Sequence, residues 1–218
     1  MQVKICGITS VAQGMAIAQL GATALGYICV KKSPRYVEPK RIAPIVAAVS
    51  ADYPDTQHFG VFANESPFSI LSTVKTAKLT AIQLHGDETT ATCQLLRDAF
   101  KSSGLPKVQL VKAFRIRTVE DLEKTKAYEP HVDSLLLDAY HPEQLGGTGK
   151  TLDWQTLQNF SPDQPWFLAG GLTPDNVRQA IAQTSPNGID LSSGVERSPG
   201  DKDLEKVRQL FKQIKQAS

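Results

Sequence analysis

Short apolar runs alternate with amphipathic stretches along the whole 218-residue chain. The candidate strands are Val3–Cys6, Ala24–Val30, His58–Phe62, Ala81–Leu84, Lys107–Phe114, Ser134–Asp138, Trp166–Ala169 and Gly188–Leu191. Helical patterns lie between and after them, at Val11–Leu20, Pro39–Val49, Pro67–Thr76, Glu88–Phe100, Thr118–Ala127, Trp154–Asn159, Pro174–Gln183 and Asp203–Lys215. Strands that alternate with helices predict a parallel sheet, because a parallel pair needs a crossover connection. Eight such units fit either an open doubly wound sheet or a closed barrel. No composition break or linker divides the chain, and its length suits a compact (βα)8 TIM barrel, so a closed eight-stranded parallel barrel spanning residues 1–218 as one domain is expected. Ser66-Pro67 and Thr173-Pro174 each read as an N-cap followed by proline at the first helical position.

Strand side chains alternate between two faces. In a barrel the outer face meets helices and wants apolar residues. On the first strand this sends Val3 and Ile5 outward and Lys4 and Cys6 inward. Gln83 and His85 point inward from the fourth strand, between the outward Ile82 and Leu84. Asp138 follows the outward Leu135 and Leu137 of the sixth, and Asp190 lies between Ile189 and Leu191 of the eighth. A single polar residue at a strand end reads as a cap or a satisfied core group. Polar residues from four strands gathered at the C-terminal rim, where barrels build their active sites, point to a site, since burying unpaired polar groups is costly.

Glycine-rich turns mark one side of that rim. Ala169-Gly170-Gly171-Leu172 follows the seventh strand, and Ser192-Ser193-Gly194-Val195-Glu196 follows the eighth. Loops at these two places, with a short turn from Ser193 to Arg197, form the recurrent phosphate site of the fold. A third loop, Gly146-Gly147-Thr148-Gly149-Lys150, lacks the spacing of a nucleotide P-loop because Gln144 stands where the first glycine belongs, so ATP binding is rejected.

Composition narrows the picture. Hydrophobic residues make up 41% of the chain, enough for one substantial core, and the net charge of +2 carries no nucleic-acid or membrane footprint. The three cysteines, Cys6, Cys29 and Cys93, are odd in number and far apart, which argues against disulfides and a zinc site. No basic-then-apolar leader opens the chain, and no run approaches the roughly 18 apolar residues of a membrane span. A cytoplasmic protein without metal or cofactor is expected, monomeric by default with a homodimer left open.

Taken in order, these motifs together with Lys32-Ser33-Pro34-Arg35-Tyr36-Val37, Gly60-Val61-Phe62 and Gln83-Leu84-His85-Gly86-Asp87-Glu88 resemble the phosphoribosylanthranilate isomerase family over essentially the whole chain. The resemblance implies an Amadori rearrangement of a phosphorylated sugar-anthranilate in tryptophan biosynthesis. It makes Asp138 the general acid that opens the furanose ring and Cys6 the general base that takes the ribose C2 proton. Arg35 would clamp the anthranilate carboxylate, and His85, Asp190, Gly170, Gly171, Ser192, Ser193 and Gly194 would bind the rest of the substrate. Asp190 has two open roles, holding the sugar hydroxyls or pairing with Lys4. A cation such as Lys4 would favour the Cys6 thiolate. Indole-glycerol-phosphate synthase chemistry would want a rim Lys and Glu, and a metal-dependent epimerase His and Asp ligands; the rim offers Cys6 and Asp138. A barrel kept only as a phosphosugar-binding module would not need Cys6, Arg35 and Asp138 together.

Overall fold

The structure is a computed structural model that describes residues 1–139, 154–157 and 159–217. Strands β1 (Gln2–Cys6), β2 (Ala24–Ile28), β3 (Gln57–Phe62), β4 (Ala81–Leu84), β5 (Gln109–Ile116), β6 (Ser134–Ala139), β7 (Trp166–Ala169) and β8 (Gly188–Leu191) pair in parallel, each with the next. β8 returns to β1, with Val3 opposite Ile189 and Lys4 opposite Asp190, and closes the barrel. Helices α1 (Val11–Gln19), α2 (Pro39–Asp52), α3 (Pro67–Ala77), α4 (Thr90–Ser102), α5 (Val119–Glu123) and α6 (Val177–Thr184) follow strands 1–5 and 7. After β8 a small hairpin, β9 (Glu196–Ser198) and β10 (Asp201–Lys202), precedes α7 (Leu204–Ala217).

The two-residue alternation separates two cores. Outward residues such as Ile5, Leu25, Ile82, Leu84, Leu135, Leu137 and Ile189 join the helices in the larger one. Inside the barrel, Ala24, Phe59, Ala81, Val111, Ala113, Leu136, Phe167 and Ala169 form a second. Two large rings fill it, Phe59 and Phe167, edge to face with centroids 6.4 Å apart. Small neighbours make room for them: a side chain at Gly188 would come within 2.6 Å of the Phe167 ring.

Some boundaries differ from the expectation for local reasons. Ser66 caps α3 by accepting from the Ser69 N–H, with Pro67 leading the helix. Thr173-Pro174 does not begin a helix. Asn176 Oδ1 accepts from the Thr173 N–H, Pro174–Asn176 form a turn, and α6 starts at Val177. α4 starts at Thr90 behind the Thr89 cap rather than at Glu88, whose carboxylate instead accepts from the N–H groups of Asn64 and Gly86 and from Lys112. β2 stops at Ile28, and β5 runs from Gln109 to Ile116 because Val108 still donates into a turn at Leu105. The fifth helical stretch breaks after Glu123 into a 3-10 turn at Lys124–Ala127, and the sixth is a 3-10 turn at Trp154–Leu157.

One outward pair has a consequence for stability. His58 on β3 is buried between Tyr27 and Ser50, with Nδ1 2.9 Å from the Tyr27 hydroxyl and Nε2 3.1 Å from the Ser50 hydroxyl. Burial pushes its pKa down to about 4. The unfolded chain, with an ordinary histidine near 6.5, binds that proton first. The stability contribution is therefore complete above about pH 6.5 and is lost as pH falls toward 4, by about 3 kcal/mol in all. His58→Gln, which does not titrate, should remove that part of the pH dependence. Urea unfolding of both proteins from pH 7 to 4 tests this, and parallel stability curves would refute it.

Candidate active site

Lys4, Gln83 and Asp190 form a polar layer above the inner phenylalanines. The Lys4 side chain is almost fully buried, its ammonium 5.4 Å from the centroid of the Phe59 ring. Its Nζ donates to Gln83 Oε1 at 2.9 Å and to Asp190 Oδ2 at 3.0 Å. Burial alone would push the ammonium pKa down, but the Asp190 carboxylate and Cys6 outweigh it and leave it above the ordinary lysine value. Of the two roles open to Asp190, the pairing with Lys4 is made, through Oδ2. Oδ1 is buried without a hydrogen-bond partner among the described residues.

A cavity of about 410 Å³ opens above this layer. Cys6, Arg35, His85, Asp138, Gly170, Gly171, Asp190, Ser192, Ser193 and Gly194 all line it, so the residues expected to act on or bind the substrate converge on one space, with Lys4 in the layer beneath. Gln83, Ser33, Ile28, Val61, Ala169, Leu172 and Leu191 complete the wall. Cys6 fits because its neighbour on β2 is glycine: a Cβ at Gly26 would lie 2.6 Å from Sγ. Burial pushes the Cys6 thiol up, and Asp190 adds to the rise. Lys4 and Lys202 pull it toward the thiolate, the direction expected of a nearby cation, but do not prevail. Asp138 is the penultimate residue of β6, and its Oδ2 lies 3.2 Å from His85 Nε2. His85 Nδ1 in turn lies 2.9 Å from Gln83 Nε2, so both ring nitrogens are engaged by protein groups.

Arg35 reaches the cavity from the loop after β2. Its Nε and Nη2 grip Glu196, at 2.9 Å to Oε1 and 2.6 Å to Oε2. The side-on edge of the guanidinium is thereby occupied, and among the described residues Nη1 makes no hydrogen bond. Glu196 also accepts from Lys202 Nζ at 2.8 Å and from the Gly200 N–H at 3.1 Å. Burial would raise the Glu196 carboxyl, but Arg35 and Lys202 hold it below the ordinary carboxylate range. Lys202 further donates to the Ser192 carbonyl at 3.1 Å, which ties the hairpin to the loop after β8.

The two glycine-rich loops touch. Gly170 and Gly171 have φ of 87° and 65°, a region favouring glycine. A Cβ at Gly194 would lie 1.8 Å from the Leu172 carbonyl oxygen, so only glycine lets the two backbones meet. The short turn expected from Ser193 to Arg197 is a 3-10 turn over Ser193–Val195 only, because Glu196 and Arg197 already belong to β9. The loop at 146–150 lies outside the described residues. Two residues of the site were given no role from the sequence. Glu196 appears only as the last residue of the loop motif after the eighth strand, and Lys202 belongs to no motif. Partnership across 79 or 161 positions leaves no local trace.

The chain is similar to known proteins over nearly its full length. A family model described as N-(5'phosphoribosyl)anthranilate (PRA) isomerase matches residues 3–213. An N-(5'-phosphoribosyl)anthranilate isomerase of Nostoc punctiforme is 58% identical over 214 residues, 98% of each chain. Among solved structures, phosphoribosyl anthranilate isomerase from Thermotoga maritima has a TM-score of 0.87 at 34% identity, covering 99% of both chains. Another solved phosphoribosyl anthranilate isomerase, in complex with reduced 1-(o-carboxyphenylamino)-1-deoxyribulose 5-phosphate, has a TM-score of 0.85 at 31% identity over 99% of both.

Because burial dominates at Cys6, alkylation of that thiol in the ligand-free protein should have its pH midpoint above the ordinary value of about 8.5. Lys202→Met, which removes an opposing cation, should move the midpoint higher. Peptide mass spectrometry after timed iodoacetamide treatment separates Cys6 from Cys29 and Cys93. A wild-type midpoint below the ordinary value would contradict the dominance of burial.

Proposed function

The chain belongs to the N-(5'-phosphoribosyl)anthranilate isomerase family, and we propose that Cys6 and Asp138 carry out its reaction, the conversion of N-(5'-phosphoribosyl)anthranilate to 1-(2-carboxyphenylamino)-1-deoxyribulose 5-phosphate in tryptophan biosynthesis. The observation that carries the assignment is that a thiol and a carboxyl share one cavity with two touching glycine loops and a cation. Asp138 donates a proton to the furanose ring oxygen, the C1–O bond breaks, and a protonated Schiff base forms. Cys6 then takes the C2 proton, leaving an enolamine that tautomerises to the aminoketose. No atom is gained or lost overall.

The environment of Cys6 suits a base that is awakened by its substrate. In the free protein the thiol is favoured; once the ring has opened, the iminium cation adds to Lys4 and Lys202 in stabilising the thiolate. The thiol proton passes to solvent before Cys6 takes the C2 proton, and Asp138 regains a proton from solvent at the end of the turnover. The phosphate belongs at Gly171 and Gly194, where backbone can approach an anion closely. The anthranilate carboxylate belongs on Arg35, at the part of its guanidinium that Glu196 leaves free. Asp190 Oδ1, buried and unpartnered among the described residues, is a ready acceptor for a sugar hydroxyl. In this reading residues 1–218 work as one cytoplasmic barrel domain, with a small phosphorylated substrate and no nucleic-acid or membrane partner.

Turnover of freshly prepared N-(5'-phosphoribosyl)anthranilate tests these roles. Cys6→Ser and Asp138→Asn should each lower kcat by about 10²–10⁴ or more, the range of general acid–base catalysis, with KM nearly unchanged. Near wild-type kcat in either variant removes that residue from the mechanism. Arg35→Ala should instead raise KM, since a charge-assisted carboxylate contact is worth roughly 1.5–3 kcal/mol. An unaltered KM would sink the clamp.

A further inference from the structure

The hydrogen bonds above the inner core have a direction, and Lys4 sets it. An ammonium can only donate. Gln83 Oε1, 2.9 Å from Lys4 Nζ, is therefore an acceptor, and the amide is held with its NH2 at the far end. Turning the amide over would face NH2 against the buried ammonium. Gln83 Nε2, in its turn donor only, lies 2.9 Å from His85 Nδ1. That nitrogen must present its lone pair, which places the ring proton on Nε2. Nε2 is 3.2 Å from Asp138 Oδ2.

Resting on the acid role of Asp138 given above, we propose that Lys4, Gln83 and His85 form a one-way chain of donors that keeps Asp138 Oδ2 an acceptor, so that the acid proton is carried on Oδ1. A proton on Oδ2 would have to point at Nε2–H. Moving the ring proton to Nδ1 would set it against the Gln83 NH2, and each attempt to reverse the chain leaves two donors facing each other. Gln83 touches neither reacting atom in this scheme. It is a positioning residue that acts on the acid through His85, and Asp190 anchors the far end by holding Lys4. The chain links β8, β1, β4 and β6, so it also fixes where the acid stands relative to the base on β1.

Two measurements test the proposal. Ring 15N shifts of His85 in the ligand-free wild-type protein should show Nε2–H with Nδ1 unprotonated. In Gln83→Glu, whose carboxylate can only accept, Nδ1 should gain a proton. Kinetically, Gln83→Met should lower the single-turnover rate at least tenfold with little change in KM, less than the roughly 10²–10⁴ of losing the acid itself. In an Asp138→Asn background the same Gln83→Met change should have almost no further effect, because residues acting in one chain are not additive. A merely structural Gln83 would lower the rate equally in both backgrounds, and that result overturns the proposal. So does Nδ1–H in wild type, a reading that needs no variant to fold. Full activity of Asp138→Asn alone would overturn the acid assignment, and the proposal with it, and is told apart by appearing in the single variant.

Discussion

A positive charge inside the barrel organises the site. Lys4 is buried where an apolar layer would otherwise continue, and a charge taken out of water must be matched at short range. The match comes from three directions: Asp190 on the neighbouring strand, Gln83 across the barrel and the face of Phe59 beneath. Buried ion pairs of this kind often add little stability over packed apolar side chains. What Lys4 supplies is orientation. Its donor-only character propagates through Gln83 to the groups at the mouth, and its pairing with Asp190 sits at the seam where β8 meets β1 and the barrel closes.

Around that layer the labour is divided between strands and loops. The groups assigned to proton transfer stand on strand ends, whose positions are fixed by the ladder of the barrel. The groups assigned to holding the ligand stand on the loops after β2, β7 and β8. A second buried charge cluster, Arg35 with Glu196 and Lys202, links two of those loops. Two basic side chains share one carboxylate there, Lys202 with its pKa lowered by burial, so the cluster is more basic than acidic. A substrate with two anionic groups, phosphate at one end and carboxylate at the other, is the complement of such a cavity.

The inward and outward sorting of the strands was legible because period two is a local property that burial enforces on every strand. Lys4, Cys6, Gln83, Asp138 and Asp190 all declared themselves by interrupting an apolar strand. The glycine loops were legible because positive φ and backbone contact leave little choice of residue. Other features depended on distant partners. Lys112 occupies an outward position on β5, yet it is buried, donating to the Leu84 and Gly86 carbonyls and to Glu88. Glu88 thus belongs to the turn after β4, although it looked like the first residue of α4. Thr173-Pro174 matched a helix start by type, but Asn176 competed for the Thr173 N–H and delayed the helix. Glu196 and Lys202 could be recognised only once the hairpin had folded over Arg35.

The meeting of Gly194 with the Leu172 carbonyl bears on how such a barrel can change over generations. The joint at Gly194 is made with main-chain atoms of Leu172 and Thr173, so it does not depend on which side chains stand beside it. A substitution at position 194 would prise both loops apart at once, whatever residue stood at 171, 192 or 193, and no compensating change of side chain could restore the contact. New ligands are then more easily admitted at the Arg35 side, where the walls are made of side chains and can be exchanged singly. The glycine end would be inherited whole, as a fixed handle for whatever molecule the rest of the cavity comes to prefer.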